Sequence, residues 1–153
     1  MPFTLTPLAV VLTGAALGSR LGSLAQALYV VLGATGMAVF APSATLPPGL
    51  LRLAGPTGGY LLAYPVAAFV VGWLAERGWS RHFLLAFTAM LAGLVVIYAG
   101  GVSWLAIAYT HSLQTAVSLG VVQFLLLDVA KTVVAAMLLP QAWRLLGSAP
   151  PAR

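Results

Sequence analysis

The sequence predicts an all-α membrane protein, a polytopic helical bundle of about five transmembrane helices. Three observations predict it. Of 153 residues, 61% are hydrophobic and 6% are charged, whereas a water-soluble domain carries roughly a quarter charged residues. The apolar residues form runs near the ~20 residues that span a bilayer as a helix. Those runs are continuously apolar rather than alternating at every second position, which argues against a β-barrel. The same composition excludes a soluble enzyme and a disordered chain. The net charge of +5 is spread without a basic run or stripe, so the expected partner is the lipid bilayer and not nucleic acid. Cysteine is absent, which removes disulfides and thiolate metal sites.

Each element follows from an apolar run and its breakers. The first span is expected over about 5–19. No Lys or Arg precedes it, so it lacks the basic start of a signal peptide and reads as a span that stays in the membrane. The second runs over about 21–40. Pro42, Pro47, Pro48 and Gly49 then define a loop to about 56. The third covers about 59–75 and is stopped by Glu76-Arg77-Gly78. The fourth begins near His82 and reaches about 106, with Gly100-Gly101 as a candidate bend or end. Residues 109–119 carry Thr110, His111, Ser112, Gln114, Thr115 and Ser118, and read as a loop or a short interfacial helix. The fifth span covers about 121–146. Residues 1–146 therefore form a single transmembrane domain, and 147–153 a disordered tail.

The charges orient the bundle. Arg20, Arg77, Arg81, Arg144 and Arg153 fall on one side, and Arg52 stands alone on the other. The positive-inside rule makes the first side cytoplasmic, with the C-terminus inside and the N-terminus outside. Gly14, Gly18 and Gly22, at i, i+4 and i+8, share a face if the helix is continuous. Such a face favours close packing within the chain over a dimer contact.

Two charges remain at membrane depth. Asp128 and Lys131, at i and i+3, lie on one face of the fifth span. Measured from the outer end, they sit roughly 10 and 15 Å in. Each alone costs at least ~2.5 kcal/mol there. Together they form either a structural ion pair or a ligand site open to the outside. Lys131 supplies N–H donors and a positive charge suited to a carboxylate, and Asp128 accepts from N–H groups. On the same outer side, Gly55-Pro56-Thr57-Gly58-Gly59-Tyr60 opens the third span, with the free N–H groups of a helix start and glycines that permit close backbone approach. A plain helix start explains that string equally well. Tyr29, Phe40, Tyr60, Trp104 and Phe124 are candidates to line an apolar pocket. Singly each is packing, or an interface anchor in the case of Trp104. His82 and His111 have no second ligand at metal spacing. No Ser–His–Asp set can be assembled, because Asp128 is the only Asp. The Gly-x-x-x-x-Gly-Lys nucleotide pattern is absent, so if the protein moves a solute actively, ATP must be handled by another chain.

These motifs together resemble one family. Thr4-Leu5 through Leu17-Gly18-Ser19-Arg20-Leu21-Gly22 resembles the second membrane segment of BioY proteins, the biotin-binding S components of energy-coupling factor (ECF) transporters. Residues 29–41, Tyr-Val-Val-Leu-Gly-Ala-Thr-Gly-Met-Ala-Val-Phe-Ala, are similar to the family's Tyr-Leu-Leu-Leu-Gly-x-x-Gly-x-Pro-Val-Phe-Ala. Gly55-Pro56-Thr57-Gly58-Gly59-Tyr60-Leu61 matches the hallmark in full, and 120–131 resembles the stretch ending in Asp-x-x-Lys. The resemblance implies biotin as the transported ligand, with no cofactor in this chain. Lys131 would hold its carboxylate, while Asp128 would accept from ureido N–H or orient Lys131. The 55–60 turn would close the pocket's outer face. It also implies a transmembrane coupling protein and a pair of ATPases as partners, in a bacterial inner membrane. There are departures. The family has six spans, whereas five fit here, so the expectation is a member without the first helix. Ala38, Gln123 and Leu127 replace common family residues. The alternatives are an S component for another small vitamin or acid, or a non-transporting membrane scaffold.

Overall fold

A computed structural model describes residues 4–41 and 46–146, with side chains as far as 141. The expected disordered tail, 147–153, lies outside the described residues. Those residues are helical without a strand: α1 (Thr6–Ala34), α2 (Leu50–Ala54), α3 (Gly58–Glu76), α4 (Phe83–Leu105), α5 (Leu113–Val117) and α6 (Gln123–Leu146). Four segments are long and apolar enough to cross a membrane: Thr6–Ala34, Gly58–Glu76, Phe83–Thr110 and Leu113–Gln141.

The first of these is folded in two. Gly18 has φ 81° and ψ −179° inside α1, a combination open essentially to glycine alone. The chain reverses there. A Cβ on Gly22 would stand 2.9 Å from the Gly14 Cα, although eight residues of straight helix span about 12 Å. The arms 6–17 and 19–34 are the first two expected spans. The single-face reading of Gly14, Gly18 and Gly22 is thus corrected: the helix is broken at the middle glycine, and the outer two meet across the hairpin. The packing is within the chain, as expected.

The reversal leaves N–H groups of the second arm without helical partners. Glu76, at the end of α3, meets them. Its Oε1 accepts from the Ser19 N–H at 2.8 Å, and its two oxygens lie 3.0 Å from the Ser19 hydroxyl. A carboxylate at a helix start is favoured by the helix dipole as well. Gly18→Ala is expected to lower the melting temperature in detergent by roughly 5–10 °C, because alanine resists this backbone conformation. Glu76→Gln should cost less than half of that, since its amide oxygen still accepts from Ser19. Equal melting of the Gly18→Ala protein and its parent would refute the assignment of the turn.

The hydrogen bond from Ser19 to Glu76 also puts the first turn and the turn after α3 at one end of the bundle. Arg20, Arg77 and Arg81 share that end, as their grouping requires. Arg77 lies over the Trp73 ring, 3.1 Å from guanidinium carbon to ring centroid. The α3–α4 connection is a left-handed Gly78 and a 3₁₀ turn, Trp79–Arg81.

α4 packs along α3 and runs straight through Gly100 and Gly101. These glycines neither bend nor end it. They give room: a Cβ on Gly101 would strike the Tyr60 ring, and one on Gly100 the Ala63 side chain. Beyond Leu105 the helix widens into a π turn, Ala106–Thr110, and His111 reverses the chain at φ 48°. Ser112 then caps α5, and a second π turn, Ser118–Val122, leads into α6. The polar 109–119 stretch is therefore an ordered helical reversal. Val10, Tyr64, Ala67, Ala68 and Ile97 form a core at the Arg52 end, and Val11, Val71, Met90 and Ala136 form a second towards the Arg77 end.

Candidate functional site

The end of the bundle opposite Glu76 contains a cavity of about 840 Å³, including its open mouth. α1 contributes both of its ends: Thr4, Thr6 and Pro7 where the first arm starts, and Tyr29 on the second. The hairpin at Gly18 is what brings these two ends together. Phe40 and Ala41 follow α1, Arg52 comes from α2, and Thr57, Tyr60, Leu61 and Tyr64 come from the start of α3. Ile97 and Tyr98 on α4, and Phe124, Asp128 and Lys131 on α6, complete the wall with Gly120.

Asp128 and Lys131 form an ion pair of 3.1 Å across one helical turn. Asp128 is buried at 8% exposure. Its other oxygen, Oδ2, accepts from the Tyr98 hydroxyl at 2.7 Å. Lys131 Nζ also donates to the Thr4 carbonyl at 3.0 Å. The Thr132 hydroxyl donates to the Asp128 carbonyl, bracing the turn at 2.7 Å. An ammonium has three donors and a carboxylate about four acceptor positions. The pair thus keeps one N–H and one lone pair on each carboxylate oxygen for a ligand. It presents donor and acceptor side by side and carries no net charge.

Arg52 differs. It is 9% exposed. Its Nη2 donates to the Ala41 carbonyl at 2.6 Å, and its buried Nε has no hydrogen-bond partner. Among the described residues it makes no ion pair. A buried cation without a counter-ion is costly unless a ligand supplies the charge. The cavity wall therefore has a neutral polar pair on α6 and an uncompensated cation on α2. Thr57 caps α3 with its backbone only, which leaves its hydroxyl to the cavity.

Of the expected site residues, Tyr29, Phe40, Thr57, Tyr60, Asp128 and Lys131 line this one cavity. Gly55, Pro56, Gly58 and Gly59 do not reach its wall; they form the turn and first residues that place Thr57 and Tyr60. Phe124 lines it as well. Trp104 does not: its Nε1 donates to the Gly55 carbonyl at 3.0 Å. Arg52, Tyr98, Tyr64 and the 4–7 segment were not anticipated. The sequence pattern places Arg52 as a lone charge on an outer loop, whereas the structure buries it on the short helix α2. A polar hydroxyl inside the apolar run of α4 was the available signal for Tyr98. Around the cavity the aromatic rings fix one another: Tyr29 meets Phe40 edge-on at 5.4 Å, and Tyr60 meets Tyr98 edge-on at 6.4 Å.

The BioY family model matches residues 1–148. The chain belongs to the BioY family. Curated relatives agree with this. The biotin transporter BioY of Thermotoga maritima is 45% identical over 138 residues, covering 90% of this chain and 78% of the relative. The probable biotin transporter BioY of Pyrococcus horikoshii is 38% identical over the same shares. The biotin transporter BioY of Rhizobium etli is 34% identical over 90% of this chain and 75% of its own. The fold is that of a crystallised S component for biotin from an ECF-type ABC transporter. The TM-score is 0.80 at 20% identity, over 94% of this chain and 76% of that one. BioY membership places the chain among multi-pass membrane transporters rather than enzymes.

Proposed function

We propose that this BioY chain captures biotin in the cavity between α1, α2, α3, α4 and α6. In this reading it passes the vitamin inward with an ECF coupling protein and a pair of ATPases. The single observation that carries the substrate is the distribution of charge on the wall. Biotin has one carboxylate on an apolar tail and one neutral urea with a carbonyl and two N–H groups. The cavity offers one uncompensated cation, Arg52, and one neutral donor–acceptor pair, Asp128–Lys131, separated by aromatic and aliphatic side chains. The carboxylate belongs with Arg52, whose planar guanidinium suits it. The urea belongs with the pair, its N–H groups to Asp128 and its oxygen to Lys131. This reverses the division in which Lys131 takes the carboxylate, because Lys131 is already neutralised at 3.1 Å. Arg20, Arg77 and Arg81 at the far end support an outward-facing mouth in the inner membrane, with the C-terminus cytoplasmic.

The test is binding of labelled biotin to the purified protein, with biotin amide and other vitamins as competitors. The expected result is saturable binding that biotin displaces fully and that the amide displaces at least tenfold more weakly. Displacement by another vitamin at lower concentration than biotin would transfer the site to that vitamin. Equal displacement by biotin and its amide would refute the role of Arg52.

A further inference from the structure

The cation that carries the substrate argument stands on a helix that cannot hold its own position. α2 has five residues, Leu50–Ala54, far below the length at which a helix is stable alone. The last carbonyls of any helix have no partner within it. Here the Ala54 carbonyl, and that of the capping Gly55, which also accepts from the Gly58 N–H at 2.9 Å, meet side chains from the far end of the fourth span. Trp104 Nε1 donates to the Gly55 carbonyl at 3.0 Å, and the Tyr109 hydroxyl donates to the Ala54 carbonyl. Neither side chain lines the cavity. The two carbonyls lie two and three residues after Arg52. Gly55 is tied back to it through its own N–H, which donates to the Arg52 carbonyl at 3.2 Å. A Cβ on Gly59 would strike the Trp104 side chain, so this glycine lets the start of α3 and the end of α4 lie close together where the indole reaches α2. On the other side Arg52 itself grips the Ala41 carbonyl.

We propose that Trp104 and Tyr109 form a latch on the C-terminal end of α2, and that they set how long the bound vitamin stays by holding Arg52 over it. Both are positioning residues. They act on the ligand only through the backbone that carries Arg52. Without these donors the Ala54 carbonyl would turn to water at the mouth and the Gly55 carbonyl would keep only the Gly58 N–H, so α2 with its guanidinium would be free to move off the cavity. The latch works at the entrance, so it governs departure more than the final set of contacts. This inference rests on the biotin reading.

The test measures the dissociation rate of labelled biotin from Trp104→Phe, Tyr109→Phe and the double variant, each made with Arg52 present and with Arg52→Gln. Phenylalanine keeps the ring packing and removes one donor in each case. One such hydrogen bond is worth roughly a two- to tenfold change in rate. The double variant should therefore release biotin about ten- to thirtyfold faster than the parent. In the Arg52→Gln background the same two changes should alter release by about twofold or less. A structural defect that merely loosens the protein would speed release equally in both backgrounds, and that result overturns the latch. Release at the parental rate from Tyr109→Phe and from the double variant overturns it as well. Should Trp104→Phe fail to fold, Tyr109→Phe alone decides, by the same comparison of backgrounds. Absence of saturable biotin binding by the parent protein overturns the biotin reading, and the latch falls with it. Binding by the parent that is indifferent to the latch variants overturns the latch alone.

Discussion

Asp128→Ala is expected to be the most damaging single substitution in this chain. It deletes the counter-charge that Lys131 has among the described residues, and leaves the Tyr98 hydroxyl without its acceptor. Breaking a buried pair on one side costs about 3–5 kcal/mol. Little folded protein is expected after extraction, by size-exclusion profile and by thermal unfolding. The paired change Asp128→Asn with Lys131→Met separates fold from function. It removes both charges together, which is often neutral or stabilising. Its fold should survive within a few degrees of the parent, while biotin affinity falls by a hundredfold or more, because donor and acceptor toward the urea are both lost. Retention of biotin binding by that double variant would establish the pair as structural and leave the urea without a site.

Arg52→Ala should give the second-largest functional loss. A hydrogen bond to a charged group contributes about 1.5–3 kcal/mol, so biotin affinity is expected to fall by roughly ten- to a hundredfold. The ligand series gives this prediction its discrimination. Biotin amide, which has no carboxylate, should bind the variant and the parent within a few-fold of each other. Stability should hold or rise, because the empty parent buries an uncompensated cation at 9% exposure. Equal losses for biotin and its amide would mean that Arg52 shapes the pocket instead of recognising charge.

The spans were legible because each is a long apolar run between breakers, and that pattern depends only on the bilayer. Asp128 and Lys131 were legible for the same reason: a charge inside such a run is conspicuous whatever surrounds it. In the sequence the Gly18 reversal shows as a break between two runs. Its tightness was hidden, since the turn is one glycine with neither proline nor a polar loop, and its cap, Glu76, is 57 residues away. Arg52 was the costly omission. Position in a Pro- and Gly-rich loop marks a residue as exposed, and a five-residue helix shows no periodicity to contradict that. Its guanidinium is held by the Ala41 carbonyl, eleven residues back, a contact that no periodicity announces. Tyr98 was passed over because an aromatic residue in a span is ordinary, and only the fold shows what its hydroxyl faces.

The doubled first helix has a mechanical consequence for the bilayer. An arm of about 12 residues rises roughly 18 Å and one of about 16 roughly 24 Å, both short of the ~30 Å hydrocarbon core. Along this edge of the molecule the lipid tails must compress or the surface must dip, at a cost of fractions of a kcal/mol for each ångström. Arg20, exposed beside the turn, has the length to reach the headgroups across part of the shortfall. The protein thus carries an elastic footprint on one flank. A neighbouring helix seated there would relieve it, and membrane thickness becomes a variable to which this small bundle responds.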